Sequence, residues 1–218
     1  MSNNRKPMFF MSDVHLDHPN SLIFDNRPFR DTDHMHDVII KRYNAQVPTN
    51  GICFLLGDVG VGSSKVCEEV ISKLNGTKIL ILGNHDKKMN AMYQCGFDVV
   101  LNSASIMIMG QRVTMSHCPL KGVYREDTTG MKGVTEYMNW HGEHKQHDFT
   151  LTNEGQFHLH GHIHSPNGGR SQKILGRQFD VGVVANGYRP VSISEIESWI
   201  ARTLKEEELL NATLKTDS

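Results

Sequence analysis

The sequence contains no stretch of about 18 consecutive apolar residues, the minimum expected of a membrane-spanning helix. The apolar run near its start, Met8 to Met11, is also too short for the hydrophobic part of a secretion signal. Both absences argue against a membrane protein and against a secreted one. We therefore expect a cytoplasmic protein with no membrane partner.

Cysteine is scarce: only four are present, and no two of them form a Cys-x-x-Cys pair. This pattern argues against a disulfide framework and against a structural zinc site built from thiolates. Isolated cysteines in apolar surroundings are typical of small buried side chains in a reducing compartment.

A basic surface is also missing from the sequence. The formal net charge is −1, and neither sign of charge forms a long run. Proteins that bind duplex nucleic acid through its phosphates usually carry a basic stripe, so duplex binding is not expected. A nucleotide or short oligonucleotide substrate is still compatible with this charge, because bound metal ions are themselves strong local positive charges.

The residues that are present predict one compact domain over residues 1–218. Apolar residues make up 38% and charged residues 22%, which is typical of a folded chain. The first half alternates predicted buried strands with predicted helices, the βαβαβ pattern of a sheet packed between helices. The predicted strands are residues 7–12, 52–56 and 78–82, and the predicted helices are residues 31–47 and a segment from residue 64.

The second half has a different pattern. Its strand candidates are residues 105–109, 112–116, 156–161, 172–181 and 190–193. A capping box from Ser194 to Glu197 predicts the start of a final helix, and the polar tail 211–218 is expected to fray. Residues 120–154 are weakly patterned over an unusual length, which predicts a lid or binding loop, with some helix around residues 134–140.

Histidine is frequent, with 13 residues, and several of them lie beside Asp, Asn or Gly at predicted strand ends. Because ligands of α/β sheets bind beyond the carboxyl ends of the strands, these clusters should converge. Along an extended chain, His160, His162 and His164 should share one face. The donors are oxygens and imidazoles, which suit Mn, Fe, Zn or Ni, and their number suits two ions. The clusters are Asp13-x-His15, Asp58, Asn84-His85, Ser116-His117 and His160-Gly161-His162-Ile163-His164.

An ordered set of motifs resembles the signature of the calcineurin-like metallophosphoesterases. The motifs are Asp13-x-His15, Gly57-Asp58, Gly83-Asn84-His85-Asp86, Ser116-His117 and Gly161-His162-x-His164. The resemblance extends from about Met8 to Ile196 and implies a four-layer α/β/β/α sandwich of two mixed sheets flanked by helices. Arg27-Pro28-Phe29 and the run from Asn186 to Ser192 look like those of small, single-domain bacterial and phage members.

The resemblance also implies two sets of metal ligands that share one carboxylate. The first set is Asp13, His15 and His164. The second set is Asn84, His117 and His162, and Asp58 would bridge the two ions. His85 would be the general acid near the leaving-group oxygen. Two divalent ions, with manganese favoured, would then hydrolyse a phosphodiester or nucleotide-type substrate by a hydroxide that bridges them.

The sequence departs from the protein serine/threonine phosphatases of that superfamily. Those enzymes carry Gly-Asp-x-x-Asp-Arg-Gly and Gly-Asn-His-Glu where this chain has Gly57 to Gly62 and Gly83 to Asp86. The arginine that grips phosphate and the aspartate that orients the acid histidine are absent from their usual places, which disfavours a phosphoprotein substrate. Many small members also show an Asn-Val-x-Val-Asp run near the end of the sequence, where this chain has Asp180 to Val184.

Other functions and other residues stay open. The chain could be a phosphomonoesterase for a small molecule or a protein, or a non-catalytic metal-binding scaffold, although the presence of Asp58 and His85 disfavours the scaffold. His34 and His36 are interpreted as solvated residues at a helix start. The candidates for substrate contact or for support of the metal ligands are His18, Arg27, Arg125 and His160.

Overall fold

The computed structural model describes residues 6–120, 150–165 and 176–216, which form two β-sheets with flanking helices. The strands are β1 (Met8–Met11), β2 (Ile52–Leu55), β3 (Thr77–Ile81), β4 (Val99–Leu101), β5 (Ala104–Ile108), β6 (Gln111–Met115), β7 (Phe157–His160), β8 (Gln178–Asp180) and β9 (Val191–Ser192). The helices are α1 (Pro19–Phe24), α2 (Thr32–Gln46), α3 (Ser64–Ser72), α4 (Met89–Gln94) and α5 (Ile193–Thr216). Two mixed sheets with flanking helices confirm the predicted fold class.

The first sheet has the strand order β4-β3-β2-β1-β9, and all its pairs are parallel except that of β9 with β1. Strands β1, β2 and β3 match the predicted segments to within one residue at each end. They were predictable because parallel strands are covered on both faces and therefore read as apolar runs. Since these strands run in the same direction, the loops that follow them emerge at one edge of the sheet.

The second sheet has the order β5-β6-β7-β8. Its β5–β6 hairpin closes through Met109 and Gly110, both with positive φ (51° and 73°), as expected of a two-residue turn. Strands β6, β7 and β8 are parallel, so their following loops also leave at one end. An isolated bridge between Ser12 and Gly182 joins the loop after β1 to the chain after β8. The loop ends of the two sheets therefore meet at a common rim.

Two buried apolar clusters hold the layers together. One packs α2 and α3 against the first sheet and includes Met11 and Ile39. The other joins the two sheets and α5 and includes Phe10, Val113 and Trp199. The neighbours Phe10 and Met11 thus face opposite cores, as the alternation of side chains along a strand requires.

The final helix differs from the prediction at both ends. Its capping box forms two residues earlier: Glu195 N donates to Ser192 Oγ at 3.3 Å, and Ser192 N donates to Glu195 Oε2 at 2.9 Å. Ser192 and Glu195 have the same spacing as the predicted pair, and the pairing of Ser192 with Phe9 in the first sheet selects the earlier start. The helix then continues to Thr216, so residues 211–216 are helical where fraying was predicted, because Leu, Ala and Lys favour helix.

Replacement of Glu195 by glutamine is expected to lower stability near neutral pH and to matter little in acid. Arg189 donates to both carboxylate oxygens and lowers the pKa of Glu195 from 4.5 to about 2, with help from Ser192. A lowered pKa stabilises the fold above the unfolded value and ceases to do so as the pH falls through the folded value. The difference between wild type and variant in the free energy of unfolding, measured in urea, should therefore shrink as the pH falls from 4.5 to 2. An advantage that stays constant over this range would contradict the charge-based explanation.

Some predictions fall outside the described residues. They are Arg125, the helix around residues 134–140, most of the candidate lid at 120–154, residues 172–175 of a predicted strand and the tail residues 217–218. Of that segment, Leu120 and residues 150–154 are described, and Leu120 is buried. Within the described parts of the chain, no helix has the length and apolarity needed to cross a membrane.

Candidate metal centre

Five predicted metal ligands lie in loops where the backbone adopts the left-handed region. Non-glycine residues rarely have positive φ, and such strain tends to occur at functional sites. These loops follow β1, β2 and β7 and therefore meet at the common rim of the two sheets. The five residues are Asp13, His15, Asp58, His162 and His164, with φ between 45° and 70°.

One group of converging side chains, which we call site 1, consists of Asp13, His15 and His164, whose ligand-type atoms all lie within 4.8 Å of one another. His15 Nε2 is 3.1 Å from His164 Nε2, and His164 Nε2 is 3.4 Å from Asp13 Oδ1. Asp13 and His15 are buried, and His164 is partly exposed. Site 1 thus brings together the three residues of the first predicted set.

A second group, which we call site 2, consists of Asp58, His117 and His162, again within 4.8 Å of one another. His117 Nε2 is 3.2 Å from His162 Nδ1 and 3.3 Å from Asp58 Oδ2. Asn84 Oδ1 is 3.1 Å from His162 Nδ1, so the amide oxygen also points into this group. Site 2 brings together the residues of the second predicted set.

Asp58 lies between the two sites. Its Oδ2 is 3.3 Å from His117 Nε2 of site 2 and 3.7 Å from His15 Nε2 of site 1. Its other oxygen, Oδ1, accepts a hydrogen bond from the backbone N–H of His85 at 2.9 Å. The same carboxylate therefore approaches imidazole nitrogens of both sites and also holds the loop after β3.

Hydrogen bonds on the far side of two histidine rings fix which nitrogen is free to bind an ion. His117 Nδ1 is 2.8 Å from the carbonyl oxygen of Leu56, so this nitrogen carries a proton and Nε2 faces site 2. His164 Nδ1 is 2.8 Å from Asp25 Oδ1, which in the same way leaves Nε2 facing site 1. Histidines that bind metal ions typically donate their other ring N–H to a carbonyl or a carboxylate.

The acidic and basic groups of the sites shift one another's pKa. Burial alone would raise the pKa of Asp13, but His164, His117 and His15 lower it below its usual range. Burial likewise opposes ionisation of His117 and His164, yet the neighbouring carboxylates raise the pKa of His117 to about 9 and that of His164 to about 10. The carboxylates thus attract positive charge into both sites, and a divalent cation would supply that charge.

His85 lies beside the two sites with its side chain exposed. The centroid of its ring is 5.8 Å from that of His15, and its backbone N–H is held by Asp58. It follows Asn84 directly, so the loop after β3 directs one side chain into site 2 and presents the next to solvent. The imidazole of His85 is therefore accessible from solvent next to site 1.

The histidines near the ligands differ from the prediction in orientation. Of the three histidines predicted to share one face, only His160 belongs to β7, because the chain leaves the strand after it. His160, His162 and His164 therefore do not share one face, and His162 and His164 enter different sites. His160 is fully buried and stacks on His158 with 5.9 Å between ring centroids, so it faces the interior. His18 is partly exposed, and the centroid of its ring is 5.6 Å from that of His15.

His36 differs from its sequence-based interpretation, and Arg27 takes the second of the two roles considered for it. His36, interpreted as solvated, is buried, and its Nε2 accepts a hydrogen bond from the backbone N–H of Asp17 at 3.1 Å because α2 packs its first turn against the loop after β1. The Arg27 side chain is fully buried and donates to the carbonyls of Asp13 and Val14. Arg27 therefore supports the ligand loop and does not face a substrate.

Sequence reasoning overlooked two acidic residues that hold the ligand loops. Asp86 accepts hydrogen bonds from the backbone N–H groups of Asp58, Val59, Gly60 and Gly83 at 2.8–3.3 Å, and so ties the loop after β2 to the loop after β3. Its place in the Gly83-to-Asp86 motif was the available signal. Asp25, which contacts His164, carries no sequence signal, because it lies 139 residues away along the chain.

Comparison with known proteins gives a relative that covers most of the chain. The gene 66 protein of Mycobacterium phage L5 is 30% identical over 213 residues, which cover 91% of this chain and 96% of that protein. The chain belongs to the family of this phage protein. An uncharacterized protein of Methanocaldococcus jannaschii is 34% identical over 84 residues, which are 38% of this chain and about half (48%) of that protein. No protein-family profile matches the chain.

One solved structure shares the fold of this chain over most of its length. A protein of unknown function from Aquifex aeolicus superposes with a TM-score of 0.64 and 23% identity, covering 89% of this chain and 99% of that one. A phosphoesterase from E. coli overlaps more loosely, with a TM-score of 0.39, 16% identity and coverage of 82% of this chain and 79% of that one. The Aquifex structure shows that the two-sheet fold occurs elsewhere at nearly full length.

Proposed function

We propose that this protein is a metal-dependent phosphoesterase with two metal ions, acting on a phosphodiester or nucleotide-type substrate. The observation that carries the proposal is the position of Asp58, whose Oδ2 lies 3.3 Å and 3.7 Å from histidine nitrogens of the two sites. A pair of divalent ions needs two sets of ligands with a shared anion between them, and the described side chains offer this arrangement.

The donors at both sites suit divalent metal ions. Each site has two imidazole nitrogens 3.1–3.2 Å apart. Two nitrogens on adjacent positions of one ion, with metal–nitrogen bonds of about 2.0–2.1 Å, lie roughly 3 Å apart, close to these separations. The mixture of carboxylate, amide and imidazole donors favours a borderline or hard ion, and manganese is our first candidate.

The roles of the residues follow from their charge and position. When bound, two ions would lower the pKa of a shared water and offset the negative charge of the phosphate. Asp58 would hold both ions with one negative charge, and Asn84 would add a neutral oxygen, so that the centre keeps net positive charge for an anionic substrate. The exposed imidazole of His85 would give a proton to the leaving-group oxygen.

The test is hydrolysis by metal-stripped protein that is resupplied with Mn²⁺. We expect turnover of bis-p-nitrophenyl phosphate to require the metal. His85→Ala should lower turnover of a dinucleotide by about 10²–10⁴, the range for loss of a general acid. The loss should be smaller with p-nitrophenyl esters, because that leaving group departs without a proton. His34→Ala is the matched control, since His34 lies at the start of α2 and contacts Phe29.

Each outcome has a distinct meaning. A higher rate with p-nitrophenyl phosphate than with the diester would select the phosphomonoesterase alternative. Metal binding without hydrolysis of either substrate would favour the scaffold alternative. If His85→Ala lowers the turnover of the dinucleotide and of the p-nitrophenyl esters by the same factor, His85 is not the proton donor. If the wild-type protein binds no metal, the proposed function is wrong.

A further inference from the structure

His164 is held from both sides of its ring. Its Nε2 faces Asp13 and His15 in site 1, and its Nδ1 is 2.8 Å from Asp25 Oδ1. The ring therefore lies between two carboxylates, and only one of them belongs to site 1. A carboxylate behind a histidine fixes its tautomer and makes the other nitrogen a stronger donor.

Arg27 connects Asp25 to the loop that carries the other ligands of site 1. Arg27 Nε and Nη2 contact Asp25 Oδ2 at 2.9 Å and 2.8 Å. Arg27 Nη2 also donates to the carbonyl of Asp13 at 3.0 Å, and Nη1 donates to the carbonyl of Val14 at 2.8 Å. Because the Arg27 side chain is fully buried, this network fixes Asp25 relative to the backbone of Asp13.

Among the described residues, site 2 is supported differently. The corresponding nitrogen of His117 is held by the backbone carbonyl of Leu56, which carries no net charge. His164 therefore has a charged partner on the far side of its ring and His117 has a neutral one. A change at Asp25 should accordingly affect site 1 and leave site 2 unchanged.

We infer that Asp25 is a positioning residue for the metal ion of site 1: it presents Nε2 of His164 to that ion, and Arg27 holds it in register with Asp13. The inference rests on the proposed function, because it assumes that site 1 binds a metal ion. It adds that the two ions are held unequally, since a charged side chain lies behind His164 and a neutral backbone carbonyl lies behind His117.

The experiment titrates metal-free protein with Mn²⁺ and measures the affinity of each equivalent by calorimetry, with the Mn²⁺ spin-resonance spectrum as a second readout. We expect two equivalents in wild type with a coupled-pair spectrum. Asp25→Ala should weaken one equivalent by about 10–100-fold, leave the other unchanged and give the spectrum of single ions. Asp25→Asn, which keeps the shape of the side chain, guards against misfolding and should shift the same equivalent in the same direction.

Two controls separate positioning from general destabilisation. His164→Ala should weaken binding of the same Mn²⁺ equivalent. The double variant with Asp25→Ala should bind that equivalent no more weakly than His164→Ala alone, because both changes act through one ring. Asp31→Ala removes the side chain that accepts from His34 N at the start of α2, so it should lower thermal stability and leave both equivalents intact.

The failures are distinguishable. If wild type binds two Mn²⁺ ions and both Asp25 variants bind two with unchanged affinities, or weaken both equally, the inference is wrong and the proposed function survives. If wild type binds no metal ion, the proposed function fails and the inference fails with it.

Discussion

Replacement of Asp58 by alanine is expected to abolish Mn²⁺-dependent turnover, with a loss of at least about 10²–10³, the range for removal of one electrostatic contact to a transition state. We expect a loss at the upper end of this range because the Asp58 side chain contacts three groups. Asp58 Oδ2 approaches His117 and His15, and Oδ1 accepts the backbone N–H of His85. If the proposed function is correct, its removal should separate the two ions, and it should also release the loop that carries His85.

The measurement is steady-state hydrolysis of the preferred diester together with Mn²⁺ titration of the metal-free variant. Asp33→Ala is the matched control, since that side chain is 97% exposed on α2. The control should keep wild-type turnover. Full Mn²⁺-dependent activity in Asp58→Ala would contradict a shared carboxylate, whereas loss of turnover with two intact equivalents would assign Asp58 a role only in positioning His85.

Replacement of Gly83 by alanine should destabilise the fold by about 1–3 kcal/mol or more, as overpacking does, and should also remove metal-dependent turnover. The added Cβ would overlap Asp58 Oδ1 and would lie 2.5 Å from Asp58 N and 3.0 Å from Gly57 Cα. Two of these three atoms belong to the backbone and cannot rotate away. The loops after β2 and β3 would have to separate, and Asp58 would move with one of them.

Urea unfolding and Mn²⁺ titration of the variant give the two readouts. Gly110→Ala is the control: its Cβ would meet nothing within 4 Å, although its φ of 73° imposes strain. That variant should lose about 1 kcal/mol of stability and no activity, because the strained turn lies in the β5–β6 hairpin. Equal turnover in Gly83→Ala and wild type would show that the two loops are not as closely packed as described.

The close approach at Gly83 belongs to a wider feature of the centre. Residues of the β1 loop donate to the β2 loop in a ladder, from Asp13 N to Gly57 O, from His15 N to Asp58 O and from Leu16 N to Val59 O, at 2.8–3.1 Å. Left-handed φ at a non-glycine residue costs on the order of 1–3 kcal/mol, and the ladder and the carboxylate of Asp86 offset that cost. The ligands are thereby held in place by bonds that the backbone itself provides.

The sequence allowed the strands that position most of the candidate ligands to be predicted. Asp13, Asp58 and Asn84 follow apolar runs whose length and composition identify buried parallel strands, and parallel strands end at one edge. Strand ends are determined locally, so β1, β2 and β3 were located to within one residue. The start of the final helix was predicted wrongly because Ser192 and Ser194 each begin a possible capping box. The choice between them depends on the pairing of Ser192 with Phe9, a residue far away in the sequence.

Local sequence thus determined the first three strands, the principal helices and the residue types that gather at the rim, because each depends on apolar periodicity or on a short motif. Tertiary structure alone decided that His160 faces inward, that Arg27 is buried and that Asp25 contacts His164. These are properties of contacts between residues as far as 139 positions apart. Such contacts form only when the two sheets pack against each other. No local pattern encodes the direction of a side chain after its strand has ended.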